Sequence, residues 1–397
     1  MTHFFRQSIL PTWFLIATII GAGMFALPFV FSQSGLLLGV VYLLFFSGIA
    51  ALVHLLYADI IVRTKETHRQ FPGYIRTYLG AHAGRFADIT TFAALVLTLT
   101  AYIVLAASFV RILVPALAPL PASILFWTLA SITIFISVRR TAFFNATTGG
   151  ITLLAIGALF IYWNATLPLY PIHLPIFLGD QPLVPFGPVL FSFIGFSAIP
   201  ALVAYSRTER VPLSRLRHAI IAGSTVPAFF YFLFAITVLA LSPTVSPDAV
   251  SGLIATLPRA ILLILGMLGF VSLWDSYSAI GRDLNKLLEY EWHISPALAD
   301  IITISIPFLL YMFGLRDFIA LIGAIGGILF GAWGILIVLA WRKAIRVHMP
   351  SVKFTRIPLP RHASSLIYHL PFPITVLLIL LFAGGILYET RNVFLFF

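Results

Sequence analysis

Long runs of apolar residues without charge decide what this chain can fold into. Several exceed the roughly 20 residues that a helix needs to cross about 30 Å of hydrocarbon. Only 9% of the 397 residues are charged and 60% are hydrophobic, whereas a soluble domain carries roughly 25% charged residues. The runs are apolar on all sides, which excludes the alternating strands of a membrane β-barrel. The sequence therefore predicts an all-α membrane protein.

The runs predict eleven transmembrane helices. When eleven spans alternate across the membrane, all but four of the 24 lysines and arginines lie on one side. An excess of Lys and Arg marks cytoplasmic loops, and it explains the net charge of +11 better than binding to nucleic acid does. We expect a multi-pass protein of the cytoplasmic membrane, with its amino terminus inside and its carboxyl terminus outside. The predicted spans are 8–31, 36–58, 86–113, 122–138, 148–163, 187–205, 218–241, 257–282, 297–313, 318–341 and 369–388.

A short motif occurs in both the first and the sixth predicted span. Residues 23–28 read GMFALP and residues 195–200 read GFSAIP, which share the pattern G-x-x-A-[L/I]-P. Five spans separate the two copies, so the two halves have opposite topology, as in the inverted repeats of transporters. The repeat divides the chain into residues 1–163, residues 164–345 and a remainder, 346–397, with the eleventh span.

Both motifs are expected to interrupt their helices. Glycine costs about 1 kcal/mol and proline about 3 kcal/mol relative to alanine inside a helix. Proline also leaves the carbonyl four residues earlier without its usual donor, here that of Met24 or Phe196. Irregular backbone at membrane depth is tolerated where it lines a cavity or site. The alternative is that the prolines only kink the helices for packing; the paired positions favour a binding site.

Residues 20–28, IGAGMFALP, resemble the first-span signature of the amino acid–polyamine–organocation superfamily. The closest resemblance is to its hydroxy- and aromatic-amino-acid permeases and amino acid/auxin permeases, and residues 193–200 are similar to their sixth span. The resemblance implies the leucine-transporter type of fold, with five-plus-five inverted repeats and one extra helix. It also implies a substrate carboxylate on the amides of Ala22, Gly23 and Met24, and a substrate ammonium on carbonyls near Phe193 and Gly195.

The remaining predicted substrate-binding residues are Gly21, Phe196, Ser197 and Tyr102. The sixth span differs from the aromatic permeases, which usually have a histidine after G-F where this chain has Ser197. That difference argues against an aromatic substrate and leaves a small amino acid as the expectation. Tyr102 lies midway along the third span, where the fold places a side chain facing the substrate; packing is the alternative.

Asp275 is the main candidate for ion coupling, because ionisable groups inside the membrane are costly. Ser272, Asp275 and Ser276 share one helical face. The resemblance implies a sodium site made by eighth-span side chains and by the first-span carbonyls of Gly21 and Met24. In the alternative, Asp275 caps its span and meets Arg282 or water. No cofactor is expected other than a sodium ion. The predicted coupling ion is either sodium or the proton.

Four other ionisable residues receive structural interpretations. His54 in the second span is expected to be a hydrogen-bonded packing residue rather than a proton carrier. Asp59, Asp88 and Asp317 fall at predicted span ends and are expected at the membrane interface.

A secondary amino acid transporter is the favoured function. A transporter-like receptor would bind its ligand without flux. An enzyme is not expected, because no span carries His-x-x-x-His, paired carboxylates or a serine–histidine arrangement. A metal-ion transporter of this fold would be expected to carry Asp-Pro-Gly-Asn in its first span, which this sequence lacks.

Overall fold

Helices form the regular structure of the chain. The structure is a computed structural model that describes residues 4–64, 70–134, 138–166, 181–347, 366–367 and 370–396. Within these ranges, seven helices are long and apolar enough to cross a membrane. A pair of helices bent by 48°, Phe5–Ile19 and Ala22–Ser34, forms an eighth candidate span. The prediction of an all-α membrane protein is confirmed.

Fifteen α-helices, labelled in chain order, lie within the described ranges. Several continue directly into tighter or wider helical turns, notably Ala22–Ala26, Leu287–Glu291 and Ala324–Phe330. The helices are α1 Leu10–Ile19, α2 Leu27–Ser34, α3 Leu36–Arg63, α4 Phe71–Leu79, α5 Ala81–Leu113, α6 Pro119–Ile134, α7 Val138–Thr166, α8 Phe186–Ser192, α9 Ala198–Thr208, α10 Leu213–Leu241, α11 Arg259–Lys286, α12 Pro296–Met312, α13 Phe318–Gly323, α14 Gly331–Arg346 and α15 Phe372–Phe396.

Helix ends differ from the predicted spans where charged residues continue a helix. The fifth span is predicted to begin at residue 148, yet α7 begins at Val138 and includes Arg139 and Arg140. Hydropathy marks only the apolar part of a helix, which explains this difference. Residues 167–180, which lie between the fifth and sixth predicted spans, are outside the described residues.

The first interrupted helix turns sharply at Gly21. Helix α1 ends at Ile19, Gly21 is extended with φ −148° and ψ −152°, and a tight turn over Ala22–Ala26 leads into α2. Pro28 lies in the first turn of α2, where a missing N–H group is tolerated because no intrahelical acceptor is available to it. The proline thus begins the second half-helix and does not kink a continuous one.

The second interrupted helix has the same construction. Helix α8 ends at Ser192, residues 193–197 are irregular, and α9 begins at Ala198 with Pro200 in its first turn. One sequence expectation is wrong here, because the carbonyls of Met24 and Phe196 do not lack donors. They accept bonds from the amides of Leu27 and Ile199, since a tight turn brings the amide three residues ahead into reach.

The interrupted helices lie between two pairs of long helices. Helix α3 packs along α10, and α5 packs along α11. The turn Ala22–Ala26 contacts α8, α10 and α11, while α1 contacts α9 and α10. The two breaks therefore meet in the interior of the helical bundle.

Candidate functional site

A cavity of about 140 Å³ lies where the two breaks meet. A single water needs roughly 10–15 Å³, so the cavity is large enough for a small molecule. The lining reaches the start of α4 and the end of α11. We call this side, where Arg63, Arg76 and Lys286 lie in the last turns of α3, α4 and α11, the basic face. Its lining includes Ile19, Gly21, Ala22, Gly23, Tyr102, Thr148, Ser192, Phe196, Ser197, Ser272, Asp275 and Ser276, and, toward the basic face, Gln70, Phe71, Asp283 and Leu287.

The first break contributes mainly backbone to this cavity. Gly21, Ala22 and Gly23 line it and are all buried. A Cβ atom added at Gly23 would lie 2.7 Å from both Cα and Oγ of Ser192. Gly23 thus allows direct contact between the two breaks as well as access to its backbone, so both the packing and the binding interpretations of this glycine have a basis.

The second break contributes side chains. Phe196 and Ser197 line the cavity, and Ser197 is exposed within it. Phe193 and Gly195 are buried and lie outside the lining, as does Met24. The structure therefore brings six of the nine predicted substrate-binding residues to the cavity: Gly21, Ala22, Gly23, Tyr102, Phe196 and Ser197.

The predicted ion-coupling face of α11 also points at the cavity. Ser272, Asp275 and Ser276 line it, and a Cβ atom added at Gly21 would lie 3.5 Å from the Ser276 Oγ. Asp275 is buried and accepts a hydrogen bond of 2.6 Å from the Thr148 hydroxyl of α7. The carboxyl therefore lies across from the first break. Sequence patterns could not identify Thr148 as its partner, because residues distant in sequence meet only in the folded bundle.

An aromatic wall faces the second break. Phe330 and Trp333, which come from the wide turn after α13 and from α14, line the cavity beside Phe196. The Phe196 ring lies 5.7 Å from that of Trp333 and 6.3 Å from that of Phe330. The Phe71 ring of α4 lies 4.9 Å from that of Trp333, at an interplanar angle of 35°. One side of the cavity is thus aromatic, while the side formed by α11 and α7 is polar.

Aromatic packing closes the first break on the side away from the basic face. Phe25, one turn beyond Gly21, packs edge-on against Phe109 at 4.9 Å and Phe234 at 5.6 Å. A second, smaller cavity of about 40 Å³ lies beside Met24 and Phe25.

Two buried side chains bind backbone atoms of the breaks. The Tyr231 hydroxyl of α10 lies 2.8 Å from the Ile19 carbonyl and 2.7 Å from the Ser192 carbonyl. His54 of α3 accepts a hydrogen bond of 3.2 Å from the Gly195 amide at Nε2, and its Nδ1 lies 2.8 Å from the Ser224 Oγ. His54 is thus hydrogen-bonded on both ring nitrogens and packs against Phe196, as expected. Tyr231 was missed; a tyrosine buried in an apolar span, whose hydroxyl needs a partner, was the available signal.

An ionic network lies beside the cavity on the basic face. Arg76 of α4 binds Asp88 of α5 at 2.6 Å and Glu291, which follows α11, at 2.7 Å. Burial alone lowers the pKa of Arg76, but its bonds to these two carboxylates outweigh burial and leave the pKa raised. The network joins three elements at the rim of the cavity.

Three other carboxylates have specific partners. Asp59 is fully buried, and its carboxylate binds Arg63, the Trp341 indole and the Leu366 amide, each at 2.8 Å. It is therefore an internal anchor near the end of α3. Asp317 caps α13 through the Ala320 amide at 2.9 Å and is exposed, as expected. Glu389 of α15, beyond the predicted eleventh span, is buried and accepts a bond from the Gly187 amide.

Comparison with known proteins gives the class of the chain. Residues 8–241 match the family described as transmembrane amino acid transporter protein. The match covers more than half of the chain, so this protein belongs to that family. No curated protein gives a significant match.

Solved transporter structures share its fold. MhsT in complex with L-phenylalanine superimposes with a TM-score of 0.67 at 16% identity, covering 96% of this chain and 98% of that one. The manganese transporter of Eremococcus coleocola gives 0.63 at 14% identity over 99% and 88% of the two chains. Inward-facing Mhp1 gives 0.61 at 13% identity over 96% and 87%. The chain therefore has the leucine-transporter type of fold.

Proposed function

We propose that this protein is a secondary active transporter that carries a small amino acid across the cytoplasmic membrane by alternating access. The observation that supports this most is the cavity at two interrupted helices, which lies inside the bundle and is bordered by a buried carboxyl group. Membrane transporters commonly bind substrates at such discontinuous helices. Family membership supports an amino acid as the substrate.

The proposed topology keeps eleven spans and the inverted repeat. Besides the eight candidates, the short helices α6 and α12 and the interrupted pair α8 and α9 supply three further spans. The boundaries 1–163, 164–345 and 346–397 then separate two five-span repeats from the extra helix. With the amino terminus inside, the basic face is cytoplasmic and the cavity extends toward it at Gln70 and Asp283, which supports an inward-facing state.

Coupling is assigned to Asp275, together with Ser272, Ser276 and the first-break carbonyls of Gly21 and Met24. The position of Asp275 opposite the first break supports this assignment, because a change in its charge would act on that interrupted helix. Sodium and protons both fit: a carboxylate with hydroxyl groups can hold sodium, and the same carboxyl can take up a proton. The charged groups of the substrate are assigned to the backbone of Gly21, Ala22 and Gly23 at the first break. Its side chain is assigned to Ser197 and the aromatic wall, which favours an apolar side chain.

Transport is tested by uptake into liposomes containing the purified protein. Each of the twenty proteinogenic amino acids is supplied in turn, with an inward sodium gradient, an inward proton gradient or neither. Gradient-driven accumulation of at least one amino acid is expected, with empty liposomes as the control. A receptor is the alternative: an amino acid that raises the thermal unfolding temperature but is not taken up or exchanged would favour it and contradict transport.

A further inference from the structure

Tyr231 and His54 occupy the backbone groups that the two helix breaks expose. Both side chains are buried. They lie on α10 and α3, which pack along one another, and both residues lie outside the cavity lining. Each backbone carbonyl or amide that a break leaves free needs a hydrogen-bond partner, because burying it without one is costly. Tyr231 and His54 together bind three of these backbone groups.

Tyr231 joins the two breaks through one oxygen atom. Its hydroxyl has a single hydrogen, and the carbonyls of Ile19 and Ser192 lie at 2.8 and 2.7 Å. Ile19 is the last residue of α1, and Ser192 is the last residue of α8. The two half-helix ends therefore share one donor, and separating them would break at least one of these bonds.

His54 holds the second break from the amide side. Because a backbone amide can only donate, Nε2 must accept from Gly195, and the neutral ring then carries its proton on Nδ1 and donates it to Ser224. Ser224 and Tyr231 lie on the same helix, α10. The histidine thus connects the second break to the helix that carries the tyrosine.

We infer that Tyr231 and His54 are positioning residues that hold both interrupted helices in one fixed relation, so that the two halves of the substrate site move together. This inference deepens the proposed function, on which its transport arm rests. The groups that remain available to bind a substrate are those that face the cavity, notably the backbone of Gly21 to Gly23. Packing of His54 on Phe196 and of Tyr231 on Phe193 is the competing explanation for both residues.

Hydrogen–deuterium exchange of the full-length protein in lipid nanodiscs tests the tyrosine. Tyr231→Phe keeps the ring and removes the hydroxyl, and one hydrogen bond is worth up to about tenfold in a local equilibrium. We expect amides in both 19–27 and 192–199 to exchange about five- to tenfold faster. Tyr311→Phe is the matched control, since it removes the bond between the Tyr311 hydroxyl and Ser123 and should leave both segments unchanged. Acceleration in only one break, or in neither, would overturn the inference.

Two amide substitutions separate bonding from packing at His54. His54→Gln can place an oxygen near the Nε2 position and accept from Gly195, whereas His54→Asn reaches only the Nδ1 position and the Ser224 side. We expect His54→Asn to speed exchange of 193–199 by about five- to tenfold and His54→Gln to stay within about twofold of wild type. Equal effects of the two variants would show that packing alone matters, and would contradict the inference.

Uptake into liposomes adds the functional readout. The probe is a mixture of the twenty radiolabelled proteinogenic amino acids at low concentration. Initial uptake should fall about tenfold in Tyr231→Phe and His54→Asn and should remain near the wild-type rate in His54→Gln and Tyr311→Phe. Normal uptake in His54→Asn and Tyr231→Phe would refute a positioning role. A wild-type protein without uptake would instead refute the proposed function, while the exchange experiment would still decide whether the two residues hold the breaks together.

Discussion

The two interrupted helices share a motif but present different chemistry to the cavity. The first break lines it with the backbone of Gly21, Ala22 and Gly23 and faces Ser276 and Asp275 of α11. The second break lines it with the side chains of Phe196 and Ser197 and faces the aromatic wall. Under the proposed function, the same sequence pattern would serve two tasks: the first break would bind the substrate's charged groups and couple the ion, and the second would select among side chains.

The largest expected effect comes from filling the first break. In Gly23→Ala the new Cβ atom would meet the Ser192 backbone at 2.7 Å, and overpacking of this kind costs about 1–3 kcal/mol. We expect loss of uptake together with a lower thermal unfolding temperature, and a stronger effect for Gly23→Leu. Gly48→Ala is the control, because a Cβ atom there meets nothing within 4 Å. Unchanged uptake by Gly23→Ala would contradict the tight contact between the breaks.

The next effect concerns Asp275, opposite the first break. Asp275→Asn removes the charge but keeps an oxygen that can accept from Thr148. We expect the variant to exchange substrate across the membrane while losing gradient-driven accumulation. Sodium coupling predicts in addition that substrate affinity of the wild type rises with sodium at constant pH, and proton coupling predicts no such rise. If the Asp275→Asn variant accumulates substrate as well as the wild type does, Asp275 is not the coupling residue. Asp317→Asn, at an exposed helix cap, is the control.

A smaller and more selective effect is expected at the second break. Ser197 is exposed in the cavity, so Ser197→Phe should narrow it without disturbing the bundle. Uptake of large amino acids should fall before that of small ones, with a shift in relative rates of about tenfold, since a pocket discriminates by about 1–3 kcal/mol for small changes in volume. Equal losses of uptake for all amino acids would show that the substrate side chain binds away from Ser197.

The smallest effect is expected at the aromatic wall. Phe330→Leu keeps an apolar surface but removes the ring that faces Trp333 at 4.8 Å. We expect affinity for amino acids with apolar side chains to fall a few-fold, because less apolar surface faces the substrate and each buried CH₂ group is worth about 0.8 kcal/mol. Uptake of the smallest amino acid tested, glycine, should stay within about twofold. A greater loss for glycine than for apolar substrates would contradict the assignment of side-chain selection to the second break.

Sequence reasoning located the breaks but not the contacts that hold them. Glycine and proline act through local backbone geometry, so the interruptions near Gly21 and Gly195 could be predicted from the motif alone. The face of Ser272, Asp275 and Ser276 follows from helical periodicity. In contrast, the bonds from Tyr231 to Ile19, from His54 to Gly195 and from Thr148 to Asp275 join residues that are far apart in sequence. Hydropathy also treats a buried acid such as Asp59 as a span end, because it measures composition and not the partners that satisfy the charge.

Substrate protection of a single introduced thiol tests the central claim, that the cavity between the breaks is the transport site. The chain contains no cysteine, so Ser197→Cys provides one thiol within the cavity and the wild type is the unreactive control. The measurement is the rate at which a small, water-soluble methanethiosulfonate reagent inactivates uptake in liposomes. We expect inactivation of the variant alone, slowed at least about fivefold by a saturating transported amino acid and not by one that is not transported. Full modification of the introduced thiol with undiminished uptake, or inactivation that no transported amino acid slows, would contradict the assignment of this cavity.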